Sequence, residues 1–285
     1  MEAKNIIHSY KAPGGTVKVE FEESGITWVT MDRPEKRNAM SPTLNDDMVK
    51  VFDDLEIDDR CKILVLTGAG EAFTAGMDLK EFFNDVFDEH ADSAAMQARV
   101  RRSCEVWQWR MLRSYRKPTV AMVNGWCFGG AFTPVVTCDL AIAADEAIFG
   151  VSEINWGIIP AGVVTKALQS VMRHRDGLWY IMTGETFDGR KAAEMGIVNR
   201  SVPRAELEDE TRKLCFTLLG KSPAVLYHAK LAYNHIAGMD WDLAQEWLRG
   251  MSSKAVLEDS EKVMFRAMNG FLDKEFRPGL EAFQR

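Results

Sequence analysis

The alternation of apolar and polar positions divides the chain into two unequal parts. Val17-Lys-Val-Glu-Phe21 has the period of a half-buried strand, and Ile26-Thr-Trp-Val-Thr-Met31 reads as a second, with Glu23-Ser-Gly25 as the turn between them. Ser41 before Pro42 is a helix cap followed by proline at the first helical position. Leu44, Met48, Val51, Phe52 and Leu55 then fall on one helical face. Ile63-Leu-Val-Leu66 is apolar throughout, as a strand covered on both faces requires. A helix rich in charge and tryptophan is predicted over much of 92–114. Strands follow at 119–123, near 140–144 and at 147–150, with a glycine turn and a helix through Val136 after the first of them. From Ala205 the pattern changes to helical periodicity through 205–219, 223–236, 240–256 and 259–272, with no convincing strand. This order predicts an α/β layer structure with a C-terminal helical extension. The expected divisions are an N-terminal tail (1–15), an α/β core (16–204) and a helical region (205–285).

Composition narrows the class. At 285 residues with 46% hydrophobic and 27% charged content, the chain can bury a large core and reads as an ordinary globular protein. Its net charge of −7 argues against broad nucleic-acid or anionic-membrane binding. The five cysteines (Cys61, Cys104, Cys127, Cys138, Cys215) form no C-x-x-C pair, which predicts free thiols in a reducing compartment and no zinc site. Pro118 to Cys138 is uncharged and long enough to resemble a membrane span. Its three glycines, two prolines and Asn124 instead mark a buried strand, turn and helix. The first 15 residues hold no apolar core of signal-peptide length, so a cytoplasmic location is expected.

Several catalytic motifs fail on inspection. Gly68-Ala-Gly70 follows an apolar strand, but the third glycine of a dinucleotide fingerprint would fall at Phe73. There is no Walker loop and no G-x-S-x-G elbow, and His8, His90, His174, His228 and His235 lack metal-ligand spacing. What remains is two glycine-bearing loops after strands, around Gly76-Met77 and Gly129-Gly130. A helix beginning at Gly129 or Gly130 leaves its first amides free, and amides from two loops can converge on one developing oxyanion. A tight strand-to-helix turn without chemistry satisfies the same pattern. Glu153, between apolar neighbours just past a strand, is a carboxylate whose pKa such a setting raises towards neutrality. An ion-paired surface glutamate is the ordinary alternative.

Ala72-Phe-Thr-Ala-Gly-Met-Asp78, Asn124-Gly through Gly129-Gly130, Cys138-Asp139-Leu-Ala-Ile142 and Phe149-Gly-Val-Ser-Glu153 occur in the order and approximate spacing of the enoyl-CoA hydratase (crotonase) superfamily, which the chain resembles. Arg33-Pro-Glu-Lys-Arg-Asn-Ala39 and Gly184 through Val198 extend the likeness over nearly the whole chain from about residue 16. The resemblance implies a spiral of β-β-α units with a C-terminal helical part used in oligomerisation, as a trimer or a dimer of trimers. Many hydratases of that family carry a first glutamate three residues after Gly130, where this chain has Thr133; the second matches Glu153. That departure, with Gly-Trp-Cys-Phe-Gly-Gly, Ser-Glu-Ile-Asn-Trp-Gly, Met77-Asp-Leu-Lys-Glu81 and Trp107-Gln-Trp109, resembles the hydroxycinnamoyl-CoA (feruloyl-CoA) hydratase-lyases.

By resemblance, the amides of Met77 and Gly130 hold the thioester oxygen, Glu153 moves the protons and Thr133 supports them. Ala75 and Met77 lie in the adenine-binding segment. Lys36, Arg37 and Lys274, the last beside Phe271, are candidates for coenzyme A phosphates. Phe82, Trp126 and Arg249 are candidates for the substrate ring, with Phe82 and Arg249 standing where relatives have tyrosines. The implied reaction is hydration and retro-aldol cleavage of feruloyl- or 4-coumaroyl-CoA to vanillin or 4-hydroxybenzaldehyde and acetyl-CoA. No metal and no tightly bound cofactor are implied; coenzyme A is part of the substrate and product. An enoyl-CoA hydratase that stops at the 3-hydroxyacyl thioester, or a non-catalytic binding protein of the same fold, are the alternatives.

Overall fold

The structure is a computed structural model that describes residues 4–89, 93–275 and 277. Residues 1–3 of the expected tail, His90, the start of the charged helix at 92 and the end of the C-terminal region lie outside the described residues. The strands are β1 (Ile6–Lys11), β2 (Val17–Glu22), β3 (Ile26–Met31), β4 (Ile63–Gly68), β5 (Ala72–Thr74), β6 (Thr119–Val123), β7 (Trp126–Phe128), β8 (Leu140–Ala144), β9 (Ile148–Gly150), β10 (Thr186–Asp188) and β11 (Arg200–Val202). The helices are α1 (Pro42–Ile57), α2 (Asp85–Glu89), α3 (Ala94–Glu105), α4 (Leu112–Ser114), α5 (Phe132–Thr137), α6 (Val164–Val171), α7 (His174–Thr183), α8 (Gly189–Glu194), α9 (Leu207–Leu219), α10 (Pro223–Ile236), α11 (Trp241–Glu258) and α12 (Val263–Leu272).

Seven strands form one sheet in the order β1-β2-β3-β4-β6-β8-β11, antiparallel as far as β3 and parallel beyond it. Four short strands form a second sheet, β10-β9-β7-β5. The chain crosses between them repeatedly: β4 leads to β5, β6 to β7 and β8 to β9, each pair giving one strand to each sheet. This repeated crossing winds the chain into a spiral. The crossings are sharp, and at Gly125 a Cβ would lie 1.9 Å from the Glu71 carbonyl oxygen, a distance no side chain tolerates.

The continuously apolar runs are the buried central strands: every residue of β4 and of β6 is buried. Helix α1 starts as expected, with the Ser41 hydroxyl accepting from Leu44 N, and packs on β2; α9 covers β4, β6 and β8. Trp28, Phe21, Phe52, Trp107 and Tyr115 are the largest side chains of the core so formed.

Two features differ from expectation. The segment read as a tail supplies an edge strand, β1, paired with β2. Its side chains are mostly exposed, so no alternation betrays it. The turn is held instead by Asp47 of α1, which accepts from Gly14 N (2.8 Å), Thr16 N (3.1 Å) and Thr16 Oγ1 (2.7 Å). The helix expected over 92–114 is interrupted by a π-helical segment at Val106–Met111, whose wider turn seats Trp107 so that its Nε1 donates to Asn45 Oδ1 at 2.8 Å. A second π-helical segment, Leu79–Asn84, follows Asp78, whose carboxylate caps it by accepting from Lys80 N and Glu81 N. No helix among the described residues is long and apolar enough to cross a membrane.

Candidate active site

Two of the crossings between sheets meet at one place. After β5, residues 75–78 run beside residues 37–40. Ala75 N donates to Arg37 O, Met40 N to Gly76 O and Asp78 N to Met40 O, which makes Met40 and Met77 an isolated parallel bridge. In such a bridge Met40 uses the peptide groups on either side of Met77, so the Met77 N–H points away from residue 40. It donates to no described residue.

The second crossing, β6 to β7, ends in Gly129–Ala131, a single 3-10 turn that runs into α5. Gly129 has φ +52°, a conformation glycine adopts without strain. The amide of Gly130 lies at the start of this turn, where helical geometry offers no backbone acceptor. The two loops touch: a Cβ at Gly76 would lie 2.6 Å from Phe128 O and 3.4 Å from Gly130 N. A Cβ at Gly130 would lie 3.3 Å from both Met40 Cε and Met77 Cγ. The structure therefore brings Met77 and Gly130 together with their amides unspent.

Glu153 opens a 3-10 turn (Glu153–Trp156) after β9 and turns its carboxylate onto the glycine loop. A Cβ at Gly129 would stand 3.1 Å from Oε1, so the carboxylate fills the room that the missing side chain leaves. Oε2 is buried and accepts no hydrogen bond from any described residue. Burial pushes the carboxyl pKa upward from the ordinary glutamate value, with a hydrogen bond from the residue's own amide pulling the other way. An unpaired carboxylate of this kind is suited to taking and returning a proton. Thr133, fully buried on the first turn of α5, donates from Oγ1 to Gly162 O at 3.4 Å, and its carbonyl accepts from Thr137 Oγ1. Cys127 is buried beneath the loop and its thiol is pushed up by desolvation, a packing position rather than a nucleophile's.

The other residues singled out in the sequence are spread more widely. Lys36 and Arg37 are exposed on the loop beside Ala75, and the Arg37 guanidinium lies 4.3 Å over the Trp126 ring, which stacks on Phe128 at 5.0 Å. Trp126 thus shares a side of the site with those cations. Phe82 is buried in the π-helical segment, edge-on to Phe83 at 5.3 Å. Arg249 lies on α11, which packs on α10, and pairs with Glu246 at 2.9 Å. Phe271 and Lys274 are exposed at the end of α12. Within this chain none of these last three hydrogen-bonds or stacks with Met77, Gly130 or Glu153.

Four residues that the sequence did not single out build the floor of the site. Asn38, fully buried at φ +56°, accepts from Arg33 N and donates to Ala69 O and Ala72 O, tying the 33–40 loop to the strand that delivers Met77. Arg33 reaches Ala39 O, Asp78 and Glu81. Gln108, on the π-helical segment, points Nε2 at the Met40 sulfur (3.3 Å) and the Met77 sulfur (3.9 Å). Met40 itself is fully buried between them. Arg33-Pro-Glu-Lys-Arg-Asn-Ala39 and Trp107-Gln-Trp109 entered the sequence reading only as parts of the family resemblance, with no role assigned to Arg33, Asn38 or Gln108.

Comparison with known proteins identifies the family and the fold. The model of the enoyl-CoA hydratase/isomerase family matches residues 21–276. A hydroxycinnamoyl-CoA hydratase-lyase of Pseudomonas fluorescens is 52% identical over 278 residues, covering 97% of this chain and 99% of that protein. Among solved structures, an enoyl-CoA hydratase from Mycobacterium smegmatis superposes with a TM-score of 0.82 at 24% identity, covering 91% of this chain and 96% of its own. One from Polaromonas sp. JS666 gives 0.80 at 22% identity, with 90% and 97% covered. At those identities the two structures speak for the fold alone, which is the crotonase-like α/β fold that the family resemblance implied.

Proposed function

The chain belongs to the enoyl-CoA hydratase/isomerase family, and from that premise we propose that it hydrates the double bond of a hydroxycinnamoyl-CoA thioester and then cleaves the product to an aromatic aldehyde and acetyl-CoA. The observation that carries this reading is a single unpaired carboxylate, Glu153, set against a glycine loop in a chain 52% identical to a hydroxycinnamoyl-CoA hydratase-lyase. Where a second glutamate would make an ordinary two-carboxylate hydratase, Thr133 stands.

The chemistry follows from one acid–base group and one oxyanion hole. Glu153 takes a proton from water as the oxygen bonds to Cβ. The electrons of the double bond move to the thioester oxygen, where the amides of Met77 and Gly130 hold the enolate. Glu153 returns the proton to Cα, giving the 3-hydroxyacyl thioester. In the second half Glu153 takes the proton of the new hydroxyl, the C–O bond becomes a carbonyl, and the Cα–Cβ electrons pass into the same enolate. Protonation at Cα then releases acetyl-CoA. Both halves use one enolate, so one hole serves both. Thr133 supports a water or the β-oxygen from α5.

The finer assignments belong to the same reading. Feruloyl- and 4-coumaroyl-CoA are the substrates, which makes vanillin and 4-hydroxybenzaldehyde the aldehydes, in the cytoplasm. Lys36, Arg37 and the segment from Ala75 to Met77 receive coenzyme A. The exposed apolar side chains of α12, Met264, Phe265, Met268, Phe271 and Leu272, support a trimer or a dimer of trimers in which Phe271, Lys274 and Arg249 reach a neighbouring subunit's site. Phe82 leaves the ring end without a tyrosine hydroxyl, which favours weak discrimination for a 4-hydroxyl.

Incubation with feruloyl-CoA, followed by chromatography, is expected to yield aldehyde and acetyl-CoA in equal amounts. A 3-hydroxyacyl thioester without aldehyde would overturn the lyase reading in favour of a hydratase. Glu153→Gln should lower turnover by about 10²- to 10⁴-fold while CoA-ester binding persists.

A further inference from the structure

The Met77 amide can serve as an oxyanion donor only if the bridge with Met40 keeps it turned away from residue 40, and one buried side chain touches both strands of that bridge. Arg33, its side chain 10% exposed, donates from Nη1 to the carbonyl of Ala39 at 2.7 Å, next to Met40. The same nitrogen reaches Asp78 Oδ2, next to Met77, at 3.2 Å. Its Nη2 donates to Glu81 Oε1 at 2.6 Å, one turn further on. Asp78 is itself 9% exposed and spends its other oxygen capping the π-helical segment through Lys80 N and Glu81 N. A planar guanidinium with fixed donor directions thus spans residues 39 and 78, the two neighbours of the bridged pair.

We propose that Arg33, acting through Asp78 and Glu81, is a positioning residue for the Met77 half of the enolate hole. It touches neither substrate nor enolate. It sets the rotation of the 77–78 peptide segment, and so the aim of the Met77 N–H. The proposal rests on the hydratase-lyase reading only for the identity of the substrate, because any conjugated thioester places its oxygen in the same hole.

The placement has a consequence that general structural support does not. A shift of about an ångström in a catalytic donor costs on the order of 10²-fold in rate, while binding of the remote coenzyme A part is unaffected. Arg33→Lys keeps the charge but cannot span Ala39 O, Asp78 and Glu81 together. Asp78→Asn keeps the helix cap and the size while removing the charge. Each variant is expected to lower kcat by about 10- to 100-fold with KM changed by less than about threefold. The losses in the addition and cleavage halves should match, since the halves share one enolate.

A second readout needs no turnover. In the Glu153→Gln protein, a bound conjugated thioester (cinnamoyl-CoA or crotonyl-CoA) has its carbonyl polarised by the hole, which moves its absorbance to the red. Adding Arg33→Lys or Asp78→Asn should shrink that shift at saturating ligand. An unchanged red shift and an unchanged kcat in folded Arg33→Lys and Asp78→Asn proteins would overturn the proposal, as would a loss confined to KM. If the unsubstituted protein binds the thioesters with the red shift but produces no aldehyde, the substrate reading fails and the role of Arg33 is still decided by the shift.

Discussion

The floor of the site and the C-terminal helices are built on opposite principles. Around Met77 and Gly130, loops distant in sequence are cross-tied by Asn38, Arg33 and Thr74, and most of these side chains are fully or nearly fully buried. The last two helices instead expose large apolar groups, with Trp241 at 93%, Leu257 at 84% and Leu272 at 70%. The first region is cross-tied within one chain: among the described residues its polar side chains find partners, while the Met77 and Gly130 amides and Glu153 Oε2, the groups assigned to the proposed reaction, do not. The second leaves an apolar surface uncovered, which is how a subunit interface looks when the partner is removed.

The sharpest way to break the comparison is a residue that disturbs only the hole. Gly130→Val should cost about 10²- to 10³-fold in kcat, because its side chain would press on Met40 Cε and Met77 Cγ, each 3.3 Å from the Cβ position, and displace a donor. Gly238→Ala, on an exposed turn with no heavy atom within 4 Å of the new Cβ, should leave kcat within about twofold. Steady-state kinetics of both variants, with circular dichroism to confirm folding, decides it; equal losses would mean that the glycine loop is only structural. Gly125 is no control for this purpose, because a Cβ there meets the Glu71 carbonyl at 1.9 Å and disrupts the crossing itself.

On the other side of the comparison, Phe265→Asp puts a charge into the middle of the exposed apolar face of α12. Light scattering should show the assembly falling towards single chains, since burying an unpaired carboxylate in an interface is strongly unfavourable. If Lys274 meets coenzyme A across the boundary, KM for the thioester rises by roughly tenfold, the worth of one charge-assisted contact. An undiminished mass would remove this face from the assembly, and an unchanged KM in dissociated protein would confine coenzyme A to the loops around Arg37.

How far the sequence revealed each region follows from the range of the contacts involved. Strands such as 63–66 and 119–123 are legible because burial on both faces writes an unbroken apolar run, and the C-terminal helices because a one-sided face writes a period. The three-residue strands β5, β7 and β10 are too short to show any period, and β1 shows none because its side chains face water. Gly129, Gly130 and Glu153 stand out locally as glycines after a strand and a carboxylate among apolar residues. Arg33 does not, since its meaning lies in Asp78, 45 residues away, and no local pattern connects the two. The π-helical segment at Val106–Met111 is equally hidden, because Trp107 and Gln108 take their places from Asn45 and Thr137 on other helices.

The smallest effect tests the electrostatic part of the comparison, since the half-buried Glu153 carboxylate has no side-chain partner among the described residues. Its folded-state pKa is raised, and by desolvation alone. Between the unfolded and folded values the folded protein therefore holds the proton more tightly, and stability falls as pH rises through that window. Above it, ionised Glu153 is a standing cost, so Glu153→Gln should melt at a higher temperature than the unsubstituted protein at neutral pH. The gain should disappear as pH drops below the ordinary glutamate range, where the native carboxyl is already neutral. Activity moves the opposite way: kcat/KM should fall on the acid side at a pH above that range, because a protonated Glu153 cannot accept from water. Calorimetric melting and a pH–rate profile read the same ionisation from its two sides. A Glu153→Gln protein that is less stable at neutral pH, or an acid limb at the ordinary glutamate value, would mean that the carboxylate has a partner in solution, and the distinction drawn between the two regions would then lose its electrostatic half.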